Sequence, residues 1–206
     1  MQPFLKRELP GDESRCFYEL QVGAVIPDLL FVQLPKAKRK RLDFFGRASF
    51  FDAFVVAELS RQGSLSCEEL SERLFVQPAR VVESVRKLRR LGLVRMKSDR
   101  YVLVAGRFPL SARVVAVEAK LIKWRDAVEQ AKSYLQFSNK SYVAVPEELV
   151  GLRELRAECR HSGLGLIGVG RDSVRVELRG RFRKVNSPSW AWIVMRAWEQ
   201  RRSHDA

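Results

Sequence analysis

Histidine is almost absent from this chain, with two in 206 residues, one of them His204 in a polar tail. Histidine-ligated metal sites and catalytic sets that need an imidazole base therefore have little to be built from. Cysteine is scarce as well. Cys16, Cys67 and Cys159 are far apart, odd in number and show no C-x-x-C spacing, which argues against a disulfide framework or a thiolate zinc site and for thiols in a reducing compartment. Long apolar runs are missing too: 54–57 and 114–117 fall far short of the roughly 20 residues of a membrane helix. The opening MQPFLKRELPGDE is too polar for the apolar region of an export signal, so a cytoplasmic protein without a membrane partner is the expectation. No G-K-[ST] follows the glycines of GLGLIGVG, so that stretch reads as a buried strand and not as a phosphate loop.

What is abundant is positive charge. Lysine and arginine number 38 against 24 acids, a formal net charge of +14. A field of that sign concentrates polyanions and supplies the counterion-release part of nucleic-acid affinity. Charge alone does not separate that partner from anionic lipid or from a merely well-solvated surface; motifs must do so. The apolar fraction of 46% is that of an ordinary globule with a core.

Along the chain, residues 1–35 contain FYELQVGAVIPDLLFVQL, two apolar runs around Gly23-Ala24 that predict a pair of strands or a strand preceded by a turn. Residues 36–47 form a basic linker in which Lys38 and Arg39 belong to a run of five cations between positions 36 and 41, able to lie along a phosphate backbone. Residues 48–106 have helical rhythm. Phe51, Phe54, Val55 and Leu59 form a stripe ending near Gly63. Ser66 and Glu69 have capping-box spacing ahead of a short helix with Leu70 and Leu74 inward. Pro78 suits the first position of a third helix with Val81, Val85 and Leu88 as its core stripe. LVRMKSDRYVLV then alternates about Ser98-Asp99 as a hairpin would.

Three helices followed by a hairpin resemble a winged helix-turn-helix of the bacterial-regulator kind, over about sixty residues. The resemblance implies that the third helix enters the major groove and the hairpin touches backbone or minor groove. On that footing Arg80, Ser84 and Lys87 of the helix, and Lys97 and Arg100 of the wing, are the expected DNA contacts. Protein interaction or dimerisation is the alternative use of such a module.

From residue 107 the pattern is strand, helix, strand, helix, strand, which implies βαβ units about a central sheet. The tail SPSWAWIVMRAWEQRR reads as an apolar helix packed on the body. In the strand RVVAVEAKL, Glu118 and Lys120 project to one side while Ala119 points to the other. A charged pair ending an apolar strand is costly unless paired or bound to metal. Carboxylates that hold Mg²⁺, with a lysine beside them, are what phosphodiester hydrolysis asks for.

At this point the sequence resembles the PD-(D/E)XK nuclease superfamily. Pro27-Asp28, expected at the end of a strand, matches one half-motif and Glu118-Ala119-Lys120 the other. Gln130 and Tyr134, one helical turn apart, look like the Q-x-x-x-Y signature of the RecB-like branch. The likeness covers about residues 1–35 and 108–175, with the departure that the winged helix separates the half-motifs. It implies an α/β fold of restriction-endonuclease type, a mixed central sheet flanked by helices and interrupted between 36 and 106, with residues 107–206 as its second part. It further implies Mg²⁺ or Mn²⁺ held by Asp28, Glu118 and the Ala119 carbonyl, Lys120 at the attacking water, an additional acid at Glu19 or Glu8, and Gln130 and Tyr134 beside the scissile strand. DNA is the implied partner, with a homodimer or partner subunits as further possibilities. The rival expectation is a non-catalytic regulator whose nuclease-like body serves dimerisation or sensing.

Overall fold

The structure is a computed structural model that describes residues 14–35 and 48–199. Glu8, Lys38 and Arg39 lie outside the described residues. In chain order the elements are β1 (Ser14–Tyr18), β2 (Leu29–Gln33), α1 (Phe50–Gln62), β3 (Ser64–Leu65), α2 (Cys67–Leu74), α3 (Pro78–Arg90), β4 (Val94–Lys97), β5 (Arg100–Leu103), β6 (Arg113–Ala119), α4 (Trp124–Tyr134), β7 (Lys140–Pro146), α5 (Arg153–Ser162), β8 (Gly165–Val169), β9 (Val174–Leu178) and α6 (Pro188–Glu199). The fold is mixed α/β, as expected, and the chain divides into two units.

Among the described residues, the sheet unit comprises 14–33 and 113–185. Its six strands run in the order β1-β2-β6-β7-β8-β9. The β6-β7 and β7-β8 pairs are parallel and the others antiparallel. Parallel neighbours need a crossover, which α4 and α5 supply. These helices seal one face through Ala127, Val128, Ala131, Leu155 and Cys159, packed on Val143, Val145 and Leu166. The other face carries Phe31, Val115, Val117, Tyr142 and Ile167. Gly165 is required there, because a Cβ on it would stand 2.0 Å from the Tyr142 ring. The glycine-rich run is thus the buried strand expected of it. Strand β9 was not foreseen: its charged alternation, VRVEL, gives a short edge strand little apolar signal.

Among the described residues, the helical unit comprises 34–35, 48–112 and 186–199. Ser66 and Glu69 form the expected capping box on α2, and Pro78 opens α3. Val81, Val85 and Leu88 are fully buried. Strands β4 and β5 form the hairpin, with Ser98 and Asp99 both at positive φ (46° and 58°), the backbone a tight hairpin turn demands. A second capping box, Ser49 with Asp52, starts α1.

Two expectations about organisation change. The units meet in sequence at 112/113 and again at 185/186, so the C-terminal helix does not belong with the sheet. It packs on α1, where Trp192 meets Phe50 at 5.7 Å between ring centroids and Asn186 donates to Ser60 at 2.9 Å. Trp190, 1% exposed, is core. The apolar run alone showed that this helix must be covered, but not by what. Second, Asp28 does not end a strand; it precedes β2. Pro27 lacks an N–H for the ladder, so strand pairing starts only after it. Among the described residues no helix is long and apolar enough to cross a membrane.

Candidate functional site

The register between β2 and β6 sets Leu29 against Val117, although residues 34–112 separate the two strands in sequence. It brings Asp28 to the end of β6. The Lys120 N–H donates to the Ala144 carbonyl at 3.0 Å, so Lys120 turns its backbone towards β7 and Ala119, one residue before, turns towards β2. The Ala119 N–H accordingly meets the Asp28 carboxylate, at 2.7 Å. The same register would set residue 27 opposite Ala119, and Pro27 has no N–H to donate. Pro27 therefore cannot give the Ala119 carbonyl the ladder hydrogen bond that this register would otherwise supply.

Glu118 shares the helix-covered face with its register partner Val143 and is 2% exposed. A buried carboxylate needs partners for both oxygens. Lys120 Nζ lies 2.8 Å from Oε1, and the Tyr134 hydroxyl donates to Oε2 at 2.6 Å. The hydrogen bond to Glu118 holds the Lys120 ammonium above the usual lysine range, against partial burial, with Asp28 and Asp126 adding to the effect. Burial first, then the Glu118 carboxylate, push the Tyr134 hydroxyl far above its ordinary value, so it stays neutral and donates. The same hydroxyl lies 3.5 Å from the Ile26 carbonyl. Asp28, Glu118, Lys120 and Tyr134 thus converge.

Other expected members of this site do not. Tyr134 is 2% exposed and cannot reach a DNA strand; the resemblance put it beside the substrate, while the α4 stripe that includes Ala127 and Ala131 turns it inward. Gln130, one turn earlier, is exposed. Glu19 is exposed at positive φ and meets Asp28 only through a backbone bond, its N–H to the Asp28 carbonyl at 3.2 Å. Among the described residues no three His, Cys, Asp or Glu side chains are grouped to hold an ion, so Glu19 does not join Asp28 and Glu118. The donors that remain are two carboxylates and the Ala119 carbonyl. An all-oxygen set fits a hard divalent cation such as Mg²⁺ or Mn²⁺ and not a thiolate- or imidazole-seeking ion.

In the helical unit, several expected DNA contacts are structural. Ser84 is buried and donates to Asp52 at 2.6 Å, and the Lys87 ammonium pairs with Asp52 at 2.8 Å. The sequence held the signal: 81, 84, 85 and 88 are i, i+3, i+4 and i+7, so Ser84 lies inside the core stripe. Burial alone would raise the Asp52 carboxyl, but bonds from Lys87, Ser84 and Ser49 more than offset it and hold it below the usual range. Arg100 is tied to Glu69 at 2.7 Å and to the Ser64 carbonyl. Arg80 is exposed, its guanidinium 4.4 Å from the Phe51 ring centroid. Lys97 is exposed on the wing. Among the described residues, exposed cations that were not expected as contacts include Arg86, Arg89 and Arg90 on α3 and Arg95 beside Lys97 on β4.

No protein-family model matches the chain, and no curated protein does. Among solved structures the chain is similar to a protein of unknown function from Silicibacter pomeroyi, at 15% identity and a TM-score of 0.33, over 45% of this chain and 60% of that one. A likeness that slight carries no argument.

Proposed function

We propose that this chain is a metal-dependent DNA endonuclease of the PD-(D/E)XK kind. The observation that carries the reading is the convergence of Asp28 with Glu118, Lys120 and Tyr134 at the junction of β2 and β6, across a 34–112 insertion. The mixed sheet, with antiparallel strands passing into a parallel βαβ pair at that junction, agrees with it.

Hydrolysis of a phosphodiester needs an activated water and relief of charge on the phosphoryl oxygens and the departing oxygen. Asp28, Glu118 and the Ala119 carbonyl would hold Mg²⁺ or Mn²⁺, which when bound lowers the pKa of water and polarises the phosphoryl group. The chain's own groups do the rest. Lys120 presents an ammonium beside Glu118 that donates to the attacking water or to a phosphoryl oxygen. Tyr134 donates to one oxygen of Glu118 and holds that carboxylate in place, and the Asp28–Ala119 bond ties the two strand ends side by side. Arg86, Arg89, Arg90, Arg95 and Lys97 supply phosphate contacts from the helical unit. A cytoplasmic setting suits the reading, and a homodimer would let two sites cut two strands.

The test is cleavage of a panel of DNA forms (supercoiled, linear, forked and single-stranded) with Mg²⁺ or Mn²⁺. The wild type is expected to cut at least one form, and Lys120→Ala to cut it on the order of 10²–10³ more slowly, while still binding DNA. Failure on every form overturns the reading. One observation favours a second reading, a non-catalytic DNA-binding regulator with the sheet unit as a dimerisation or sensor module: among the described residues no third acid joins Asp28 and Glu118. Full biological activity of Asp28→Ala would select it.

A further inference from the structure

The loop that leaves β6 runs Leu121-Ile122-Lys123 directly after Lys120, and its two apolar side chains are 81% and 82% exposed. Single exposed aliphatics are unremarkable on a surface; two adjacent ones this bare, at the lip of a charged site, are not. Ile26, 53% exposed, is a further bare aliphatic near the site, its carbonyl 3.5 Å from the Tyr134 hydroxyl that holds Glu118. Cations interleave with these residues: Lys123, then Lys120, which pairs with Glu118, and Arg125, which stacks on Trp124 at 4.3 Å and pairs with Glu154. Three aliphatic side chains are too small a patch for the roughly 1,000 Å² that a stable protein interface needs. Alternating apolar and cationic side chains instead match a nucleic-acid strand whose bases are unstacked, the cations on phosphates and the aliphatics against base faces.

On the endonuclease reading above, we infer that the site takes DNA with unpaired bases beside the cleaved phosphate, Leu121 and Ile122 acting as a wedge against the first unpaired base. A fully paired duplex keeps its bases stacked and offers these side chains nothing to cover. A forked or single-stranded arm does, and the cost of unstacking has already been met.

The experiment measures equilibrium binding of the full chain, in Ca²⁺, to a blunt duplex and to a duplex with a single-stranded arm carrying 2-aminopurine at the first unpaired position. The armed DNA is expected to bind about tenfold more tightly, with a change in 2-aminopurine fluorescence. The double variant Leu121→Ala/Ile122→Ala is expected to bring the ratio close to one. Both positions are exposed, so its circular dichroism and melting should match the wild type. Equal affinity of the wild type for both DNAs, or a preference that survives the double variant, overturns the inference while leaving the endonuclease reading to its own cleavage test. An intact, rim-dependent preference in a protein that cuts no DNA sinks the endonuclease reading alone. Loss of self-association, or of binding to anionic vesicles, in the double variant with no change in DNA preference assigns the rim to another partner and overturns the inference.

Discussion

Asp52 in the helical unit and Glu118 in the sheet unit are held in nearly the same way. Each is 2% exposed, each is 2.8 Å from a lysine ammonium, and each accepts a hydroxyl at 2.6 Å, from Ser84 and Tyr134 respectively. Their surroundings differ. Asp52 is the N3 residue of a capping box and also takes the Ser49 N–H at 2.6 Å, so a helix terminus, a neighbouring helix and the core stripe all close on it. Glu118 stands at a strand end beside a second carboxylate, Asp28, and a carbonyl to which Pro27 has no N–H to donate. A buried carboxylate–lysine–hydroxyl set is therefore no signature of chemistry by itself. What separates a brace from a candidate site is the second acid and the ladder end at Pro27.

Exchanging the two lysines breaks that comparison most sharply. Lys120→Ala is expected to lower the DNA cleavage rate by on the order of 10²–10³, the scale for losing one group that stabilises developing charge. Lys87→Ala should leave cleavage within about threefold and lower the urea midpoint instead. Asp52→Ala is the next largest effect, a loss of about 2–4 kcal/mol in urea unfolding, since it strands Lys87 and Ser84 and removes a cap. Its pH dependence follows from the lowered carboxyl. The stabilisation is fully present above the ordinary value of 3.8 and is lost as pH falls through the lower folded value. Asp52→Asn should flatten the melting curve below about pH 4; an unchanged acid limb would contradict the brace.

Tyr134→Phe sharpens the comparison from the other side. It removes one donor from a buried carboxylate, about 1–3 kcal/mol, and should lower cleavage more than DNA affinity; an effect on affinity alone would return Tyr134 to the DNA surface. The smallest effect separates the true outer face of α3 from the expected one. Arg86→Ala should weaken binding a few-fold and reduce the salt slope by about one, whereas Ser84→Ala should leave the slope alone and cost about 1 kcal/mol of stability.

The local fold was legible where periodicity and caps speak for themselves. Ser66 with Glu69, Pro78 at a helix start and the Val81, Val85, Leu88 stripe needed no tertiary knowledge. Ser84 shows how residue type misleads: a hydroxyl suggests surface chemistry, but its helical phase puts it inside the core stripe, where it bonds Asp52. The covering of α6 by α1 and the exclusion of Glu19 are long-range outcomes that no local window contains. The candidate site lies between these cases. Pro27-Asp28 and Glu118-Ala119-Lys120 pointed to one another only through a resemblance; the β2–β6 register, Leu29 against Val117, is what brings them together.

The most direct measurement is the Mg²⁺- or Mn²⁺-dependent rate of DNA cleavage by the wild type beside Asp28→Asn and Glu118→Gln, with binding of the same DNA measured in parallel. The account predicts cleavage by the wild type and none by either variant, with DNA affinity kept in both. No metal-dependent cleavage by the wild type, or undiminished cleavage by either variant, would contradict it.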